Sequence, residues 1–394
     1  MKILAVDIGT GTQDIFLYDS RLHLENGFKL VAPAPTMIRR RQIQQATHDG
    51  RAILLSGRTM GGGPSHWAVE DHLQAGNAVF ATPDAARSFN DDLDLIREMG
   101  IQLVGDDEAG VLARTRPDDL QLIEMRDFDF PAIARAFAQF DISLDDLSVL
   151  AIAVFDHGAA PPGYSDRQFR FDFITNRLQA DNQLSTFAFL GEAVPATLTR
   201  LQAVADSAQG VDAPLVVMDT APAAVLGALL DEAVQARDEL LVANIGNFHT
   251  IAFRLQNAAV EGVFEHHTGM LNQNKLDQLL LALAAGSLTH QEVFDDHGHG
   301  AYIGPSSTND QRSSSKRSSS NAPLPRLVVT GPRRTMMRDS TLQPYFAAPF
   351  GDMMLAGCYG LLAAVADRVP EVGDQIRPSL TGEGAGPRPP WELE

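Results

Sequence analysis

An acidic segment rich in glycine and threonine near the start of the chain has residue types suited to holding a phosphate group. A turn with two glycines lets backbone N–H groups approach an anion closely, and threonine hydroxyls add donors. An acidic residue at the end of the preceding strand, here Asp7, can hold a divalent metal directly or through water. The segment predicts a phosphate loop, with a plain hairpin turn as the alternative, and it runs Asp7-Ile8-Gly9-Thr10-Gly11-Thr12-Gln13-Asp14.

Two better-known phosphate motifs are excluded by the residues that follow these glycines. A P-loop requires Gly-Lys-Ser/Thr, which is absent here. A dinucleotide fingerprint requires a third glycine that opens a helix, whereas Asp14 to Tyr18 is apolar and β-prone. The segment is therefore predicted to be strand, glycine turn, strand, and an oxidoreductase on a dinucleotide fold is not favoured.

Two segments in the second half complete the set of candidate nucleotide-binding residues. The first again places polar side chains around a glycine between strands, and it is either a second phosphate loop or another hairpin. The second is a strand that ends in a glycine, which suits either close approach to a base or ribose or an ordinary turn. Their residues are Asn244, Gly246, Asn247, His249 and Thr250 for the first, and Thr330, Gly331 and Pro332 for the second.

Aspartate, histidine and arginine also concentrate after the apolar strand that ends near Phe155. Sites in α/β proteins usually lie at such strand ends. With Arg167 and Arg170 nearby, we predict that Asp156 and His157 bind an anionic substrate or act in acid–base catalysis. A capped turn with solvated charges is the alternative.

Two further segments leave a functional and a structural interpretation open. A group of acidic residues and histidines either forms a metal site or is polar surface, and a glycine turn is either a substrate loop or a tight connection. The first group is Glu265, His266, His267, Asp295, His297 and His299, and the turn is Met60 to Pro64.

The elements that must position these residues alternate between strand and helix, which predicts an α/β fold. Predicted strands are 2–6, 14–18, 52–55, 79–81, 121–124, 150–155, 215–218, 240–243 and 250–255; predicted helices are 65–74, 83–99, 131–140, 195–208 and 221–236. Because each half contains a strand, a polar glycine turn and a strand, we expect a duplicated architecture around a central cleft.

The predicted domains are residues 1–213 and 214–394. Within the second, the Ser-rich stretch 305–325 is expected to be a disordered insertion and 381–394 a mobile tail. Helices after Asp219 and around Gly357 carry small residues at helical spacing, so we expect them to cross closely.

Composition narrows the functional classes. The net charge of −19 argues against nucleic acid as a partner. The single cysteine, Cys358, fits a reducing compartment, and without a signal peptide or a membrane-length apolar run a cytoplasmic location is expected.

The order of these segments resembles the superfamily of actin, sugar kinases and heat-shock-chaperone ATPases, over nearly the whole chain. The resemblance implies ATP and magnesium bound between two ribonuclease-H-like domains, with the first loop and the Asn244 loop on the phosphates and Thr330-Gly331-Pro332 on the adenosine. One departure is Asn244, because the superfamily's second loop usually begins with aspartate. An amide is no general base and is a poorer metal ligand.

A closer resemblance is to a prokaryotic family often labelled putative pyruvate formate-lyase activating enzyme. The residues that carry it are Gly57 to Pro64, Asp156-His157-Gly158, Glu265 to Thr268 and Gly298-His299-Gly300. Activators of that kind hold an iron–sulfur cluster with several cysteine thiolates, and this chain has one cysteine. We therefore expect an ATP-dependent, phosphoryl-using enzyme acting on a small molecule, or alternatively a non-catalytic nucleotide or metabolite sensor.

Overall fold

The computed structural model describes residues 1–305 and 325–382. The strands are β1 (Lys2–Ile8), β2 (Thr12–Asp19), β3 (Phe28–Pro33), β4 (Ala52–Gly57), β5 (Val79–Ala81), β6 (Gln102–Leu103), β7 (Leu120–Met125), β8 (Leu147–Val154), β9 (Ala188–Leu190), β10 (Leu215–Asp219), β11 (Glu239–Ile245), β12 (His249–Gln256), β13 (Ala259–His267), β14 (Gly300–Ile303), β15 (Arg326–Thr330) and β16 (Tyr345–Phe346).

The α-helices are α1 (Pro35–His48), α2 (Gly63–Gln74), α3 (Pro83–Ala86), α4 (Leu93–Glu98), α5 (Asp106–Thr115), α6 (Phe130–Ala138), α7 (Asp166–Ala180), α8 (Thr199–Ser207), α9 (Thr220–Ala228), α10 (Glu232–Gln235), α11 (Gln273–Ala285), α12 (His290–Asp295), α13 (Ala356–Arg368) and α14 (Pro370–Thr381). Among the described helices, none has the length and apolar character needed to cross a bilayer.

Two six-stranded sheets share the same internal order. The first runs β3-β2-β1-β8-β10-β9, with β1 to β3 antiparallel and with β8 and β10 parallel to β1. The second runs β14-β13-β12-β11-β15-β16, with β11 to β13 antiparallel and β15 and β16 parallel to β11. Three antiparallel strands joined to two parallel ones is the ribonuclease-H-like order. Its duplication confirms the predicted actin-like ATPase fold.

The strand β10 qualifies the division predicted after residue 213. It hydrogen-bonds in parallel to β8, from Leu215 opposite Leu150 to Asp219 opposite Val154. The first sheet therefore extends beyond that division. Residues 52–125 contribute a third, all-parallel sheet, β6-β5-β4-β7, with its own apolar core, and the sequence patterns did not separate it from the first half.

The helices α9 and α13 cross where both carry glycine. A Cβ added at Gly227 would lie 1.7 Å from the backbone oxygen of Ala356, and one added at Gly360 would lie 1.8 Å from that of Ala223. Only residues without a side chain allow this approach. The predicted close crossing is confirmed, and α13 packs in an apolar core that residues of both large sheets share.

Two predicted helices are each broken by an aspartate cap. Asp92 accepts the backbone N–H of Asp94 and starts α4, so the predicted helix 83–99 becomes α3 and α4. Asp231 accepts the N–H of Ala233 and starts α10, which divides the predicted helix 221–236. Of the predicted Ser-rich insertion and tail, residues 306–324 and 383–394 lie outside the described residues.

Candidate functional site

A cavity of about 760 Å³ is lined by loops at the strand ends of both large sheets. The residues that the sequence nominated and that line it are Asp7, Gly9, Thr10, Gly11, Thr12, Asp156, His157, Asn244, Gly246, Asn247, His249, Thr330 and Gly331. Residues far apart in the chain therefore meet in one cleft.

The two glycine turns have the same hydrogen bond and face each other. Gly9 donates its N–H to the carbonyl of Thr12, and Gly246 donates to that of His249, both at 2.9 Å. A Cβ built on Gly11 would lie 3.4 Å from Asn247 Nδ2. The strand–turn–strand pattern that occurs in both halves of the sequence thus forms two equivalent turns on opposite walls of one cavity.

Two buried carboxylates lie behind the first turn. Asp7 and Asp14 are partners in the β1–β2 register. Thr220 donates its hydroxyl to Asp7 Oδ1 at 2.5 Å, whereas Asp14 Oδ1 has no hydrogen-bond partner. Burial, partly offset by the Thr220 hydrogen bond, raises the pKa of Asp7 to about 6; burial and the charge of Asp7 raise the pKa of Asp14 to about 8. The two carboxyl groups therefore resist ionising together, and at pH 7 Asp14 retains its proton more readily than Asp7.

The end of the second sheet brings Asn244 beside the Thr-Gly turn of β15. Asn244 is the parallel partner of Thr330. Gly331 has φ +95°, and a Cβ there would lie 2.5 Å from Asn244 Oδ1, so glycine is required on both grounds. The hydroxyl of Thr330 is buried without a hydrogen-bond partner. An amide therefore lines the cavity at the end of β11, beside the Thr-Gly turn.

Two site residues predicted from the sequence, Thr250 and Asp156, have contacts that support the local structure. Thr250 is buried, its hydroxyl lies 2.9 Å from that of Thr268, and it does not line the cavity. Strand residues alternate between faces, so His249 takes the cavity side. The two carboxylate oxygens of Asp156 accept the N–H groups of Gly158 and Leu201, each at 2.8 Å. This geometry favours a capping role for Asp156 over acid–base work.

Arg170 forms a buried ion network that links the two large sheets. It donates Nε and Nη2 to Glu265 on β13, at 2.6 and 2.8 Å, and Nη1 to Asp219 at the end of β10, at 2.7 Å. The same Nη1 reaches the backbone oxygen of Asp156 at 2.7 Å. The sequence placed Arg170 near Asp156, but it gave no sign of the partners on two other strands.

Three histidines converge at one side of the cavity. One ring nitrogen each of His157, His249 and His299 lies within 4.8 Å of the other two. Desolvation by the cleft walls and the charge of Arg170 lower the pKa of His157, whose ring borders the open cavity, to about 3. Burial also lowers the pKa values of His249 and His299. All three rings are therefore neutral at pH 7 and have nitrogen lone pairs available.

This cluster differs from the metal site that the sequence suggested. Glu265 and His267 do lie beside His299, with the carboxylate 3.3 Å from His299 Nδ1 and the two rings 4.8 Å apart by their centroids. Asp295 and His297 are not among the converging residues. The sequence analysis did not predict this cluster, because it gave His157 an acid–base or substrate-binding role and His249 a place in the second phosphate loop. No sequence spacing connects these two residues to His299.

Cys358 does not fit an iron–sulfur centre. It is buried in α13, and its Sγ donates to the backbone oxygen of Asp14 at 3.1 Å. Burial raises the pKa of this thiol well above its usual value, and it is the chain's single cysteine. A cluster of this kind needs several thiolate ligands.

Solved structures similar to this chain are distant in sequence. The activator of the 2-hydroxyisocaproyl-CoA dehydratase from Clostridium difficile, with bound ADPNP, is 10% identical at a TM-score of 0.32, covering 96% of this chain and 98% of that one. The Listeria monocytogenes "Lmo2764 protein, a putative N-acetylmannosamine kinase" is 11% identical at 0.32, covering 94% and 100%. The ROK hexokinase from Thermus thermophilus is 12% identical at 0.28, covering 94% and 100%. At these values the likenesses carry no argument about binding or activity.

Sequence comparison is more specific. No curated protein matches the chain. The family model described as "Putative pyruvate format-lyase activating enzyme (DUF1786)" matches residues 60–336, more than two thirds of the chain. This span contains the segments around Asp156, Glu265 and His299 on which the resemblance rests. The chain belongs to this family.

Proposed function

We propose that the cleft binds ATP with magnesium, with the phosphates held between the turns Gly9–Thr12 and Gly246–His249. The observation that carries the proposal is the pairing of two equivalent turns across one cavity, each with its glycine N–H closing the same hydrogen bond. Glycine turns expose backbone donors to an anion, and two such turns suit a polyphosphate that lies between two domains.

The carboxylates behind the first turn support a magnesium position. Asp7 and Asp14 are buried side by side, and the charge of Asp7 disfavours ionisation of Asp14. A divalent cation bound by one of them, directly or through water, would relieve this repulsion. Mg²⁺ prefers oxygen ligands, usually one or two carboxylates together with substrate phosphates.

A phosphoryl-using enzyme acting on a small molecule is the leading function, and a nucleotide sensor is the second candidate. The room in the cavity beyond the turns, next to His157 and Arg167, supports an additional substrate. Asn244 supports the sensor, because an amide cannot act as a general base.

The binding proposal is tested by calorimetric titration with ATP, ADP and NAD, each with and without magnesium. We expect ATP and ADP, and not NAD, to bind, with affinity that rises when magnesium is present. Asp7→Asn should weaken magnesium-dependent binding by roughly ten- to a hundredfold, since a charged hydrogen-bonding or ligand contact contributes about 1.5–3 kcal/mol. The matched control is Asp71→Asn on the exposed surface of α2. Equal affinities for all three proteins would refute a magnesium–phosphate site at Asp7.

Asn244→Asp separates the two candidate functions. The substitution restores the carboxylate that the superfamily places there. If the natural protein is a sensor, it turns ATP over negligibly and the variant gains slow, magnesium-dependent hydrolysis. If it is an enzyme, the variant keeps or loses an existing activity. Phosphate release measured for both proteins decides between these outcomes.

A further inference from the structure

We propose that His157, His249 and His299 bind a divalent transition-metal ion such as Zn²⁺ in the same cleft, beside the second turn. These residues come from three separate elements: His157 follows β8, His249 opens β12, and His299 immediately precedes β14. Their convergence is thus a product of the tertiary fold and not of one local motif.

The spacing of the three nitrogens suits a metal. They lie within 4.8 Å of one another. Nitrogen ligands bind Zn²⁺ at about 2.0–2.1 Å, which places tetrahedral ligand atoms roughly 3.4 Å apart. Small rotations of the side chains close the difference, and His157, which is exposed to the cavity, has room to move.

Unpaired nitrogens give a second, independent reason. Among the residues that the structure describes, His249 Nε2 and both ring nitrogens of His299 are buried and have no hydrogen-bond partner. Leaving a buried polar atom unpaired costs about 1–3 kcal/mol, so unpaired nitrogens on two rings of one cluster indicate a missing ligand. A metal ion would accept both lone pairs at once.

A carboxylate lies close to His299, as is usual behind a metal-bound imidazole. Glu265 Oε2 lies 3.3 Å from His299 Nδ1, and Glu265 is itself fixed by the two hydrogen bonds from Arg170. A carboxylate on the far ring nitrogen orients a ligating histidine and increases its basicity. With a metal on Nε2 of His299, Nδ1 is the nitrogen that would donate to Glu265.

The ligand set selects a transition metal over magnesium, since imidazole suits zinc, copper, iron and nickel, and oxygen ligands suit Mg²⁺. Three protein ligands with an open position typify catalytic sites, which polarise a substrate oxygen or lower the pKa of bound water. The open position here faces the cavity, so the expected partner is an oxygen-bearing substrate in the space next to the turns.

The experiment uses the full chain, stripped with a chelator and dialysed, in the absence of nucleotide. Zn²⁺ is titrated by calorimetry, and Co²⁺ by its visible absorption, which reports nitrogen coordination directly. We expect one site per chain that His157→Ala weakens by more than the ~10- to 100-fold typical of losing a supporting residue. His48→Ala, at the exposed end of α1, is the matched control.

His157 is the first choice for substitution because it is exposed to the cleft, and His249→Ala serves as a second variant. Retention of the Co²⁺ spectrum and the affinity in both variants would overturn the proposal, as would failure of the natural chain to bind either ion. Because no nucleotide is present, these results are independent of whether the turns bind phosphate.

Discussion

His72 is a buried polar side chain that contributes to the acid sensitivity of this protein. It lies on α2, fully buried, with Nδ1 2.8 Å from the hydroxyl oxygen of Thr47 on α1. The Thr47 hydroxyl donates to the backbone oxygen of Ile43, so its oxygen accepts from the His72 ring. Burial lowers the pKa of His72 below the usual 6.5, and the folded protein therefore holds this ring neutral.

A pH dependence of stability follows from this shift. Below about pH 6.5 the unfolded chain binds a proton at His72 that the folded chain resists, so the contribution of this residue to stability is complete above 6.5 and is lost as the pH falls. In the natural protein this effect lowers the free energy of unfolding by up to about 1.4 kcal/mol per pH unit. We expect the His72→Gln variant to lack it. Urea unfolding at pH 7 and pH 5 measures it, with His48→Gln as the exposed control; parallel pH profiles for natural protein and His72→Gln would contradict the assignment.

The sequence placed correctly those turns whose geometry is local. Gly9 to Thr12 and Gly246 to His249 are contiguous, so their turn geometry follows from glycine content and flanking strands. The pairing of Arg170 with Glu265, and of His157 with His299, depends on which strands become neighbours. No local pattern contains that information. Thr250 is an example: it lies one position after His249 on β12, so its side chain is on the opposite face of the strand and does not line the cavity.

At the scale of elements, the crossing of α9 and α13 leaves no room for a methyl group. Gly360→Ala would place Cβ 1.8 Å from the oxygen of Ala223, which is backbone and cannot move aside. Overpacking of this kind typically costs about 1–3 kcal/mol or more. Gly110→Ala in α5 is the control, because its Cβ meets only the end of the Arg114 side chain at 3.3 Å. There we expect a gain of about 0.5–1 kcal/mol from helix propensity. Thermal unfolding measures the stability of both variants. Equal changes in Tm would mean that α9 and α13 can move apart to make room for the methyl group.

Element prediction succeeded where apolar periodicity was uninterrupted. Strands such as β5 (Val79–Ala81) have the predicted bounds. The predicted helix 83–99 failed because Asp92 competes for a backbone N–H and begins a new helix there. The third sheet was unseen as a unit, since its strands have the same pattern as those of the first, and only pairing distinguishes them.

For the whole molecule, the ion network of Arg170 is a polar connection between two large sheets that also share an apolar core. The guanidinium lies on α7, packs 3.8 Å from the ring centroid of Phe155, and holds Asp219 of the first sheet together with Glu265 of the second. All of the charged groups are buried. A bridge of this kind fixes how the two walls of the cleft sit relative to each other, and with them the paired turns and the histidine cluster.

Removing the guanidinium group of Arg170 should therefore break more than one contact. Arg170→Met leaves two carboxylates buried without their partner, and breaking a buried ion pair in this way costs about 3–5 kcal/mol. Arg58→Met is the control, because Arg58 and Asp206 form a single ion pair with side chains 41% and 42% exposed, and such pairs contribute about 0–1 kcal/mol. Adding Glu265→Gln to Arg170→Met should recover part of the loss, since one unpaired charge disappears. Denaturant unfolding followed by circular dichroism measures all three. If Arg170→Met costs no more than Arg58→Met, the two sheets are held together by their apolar contacts alone, and the positions of His299 and the second turn do not depend on the network.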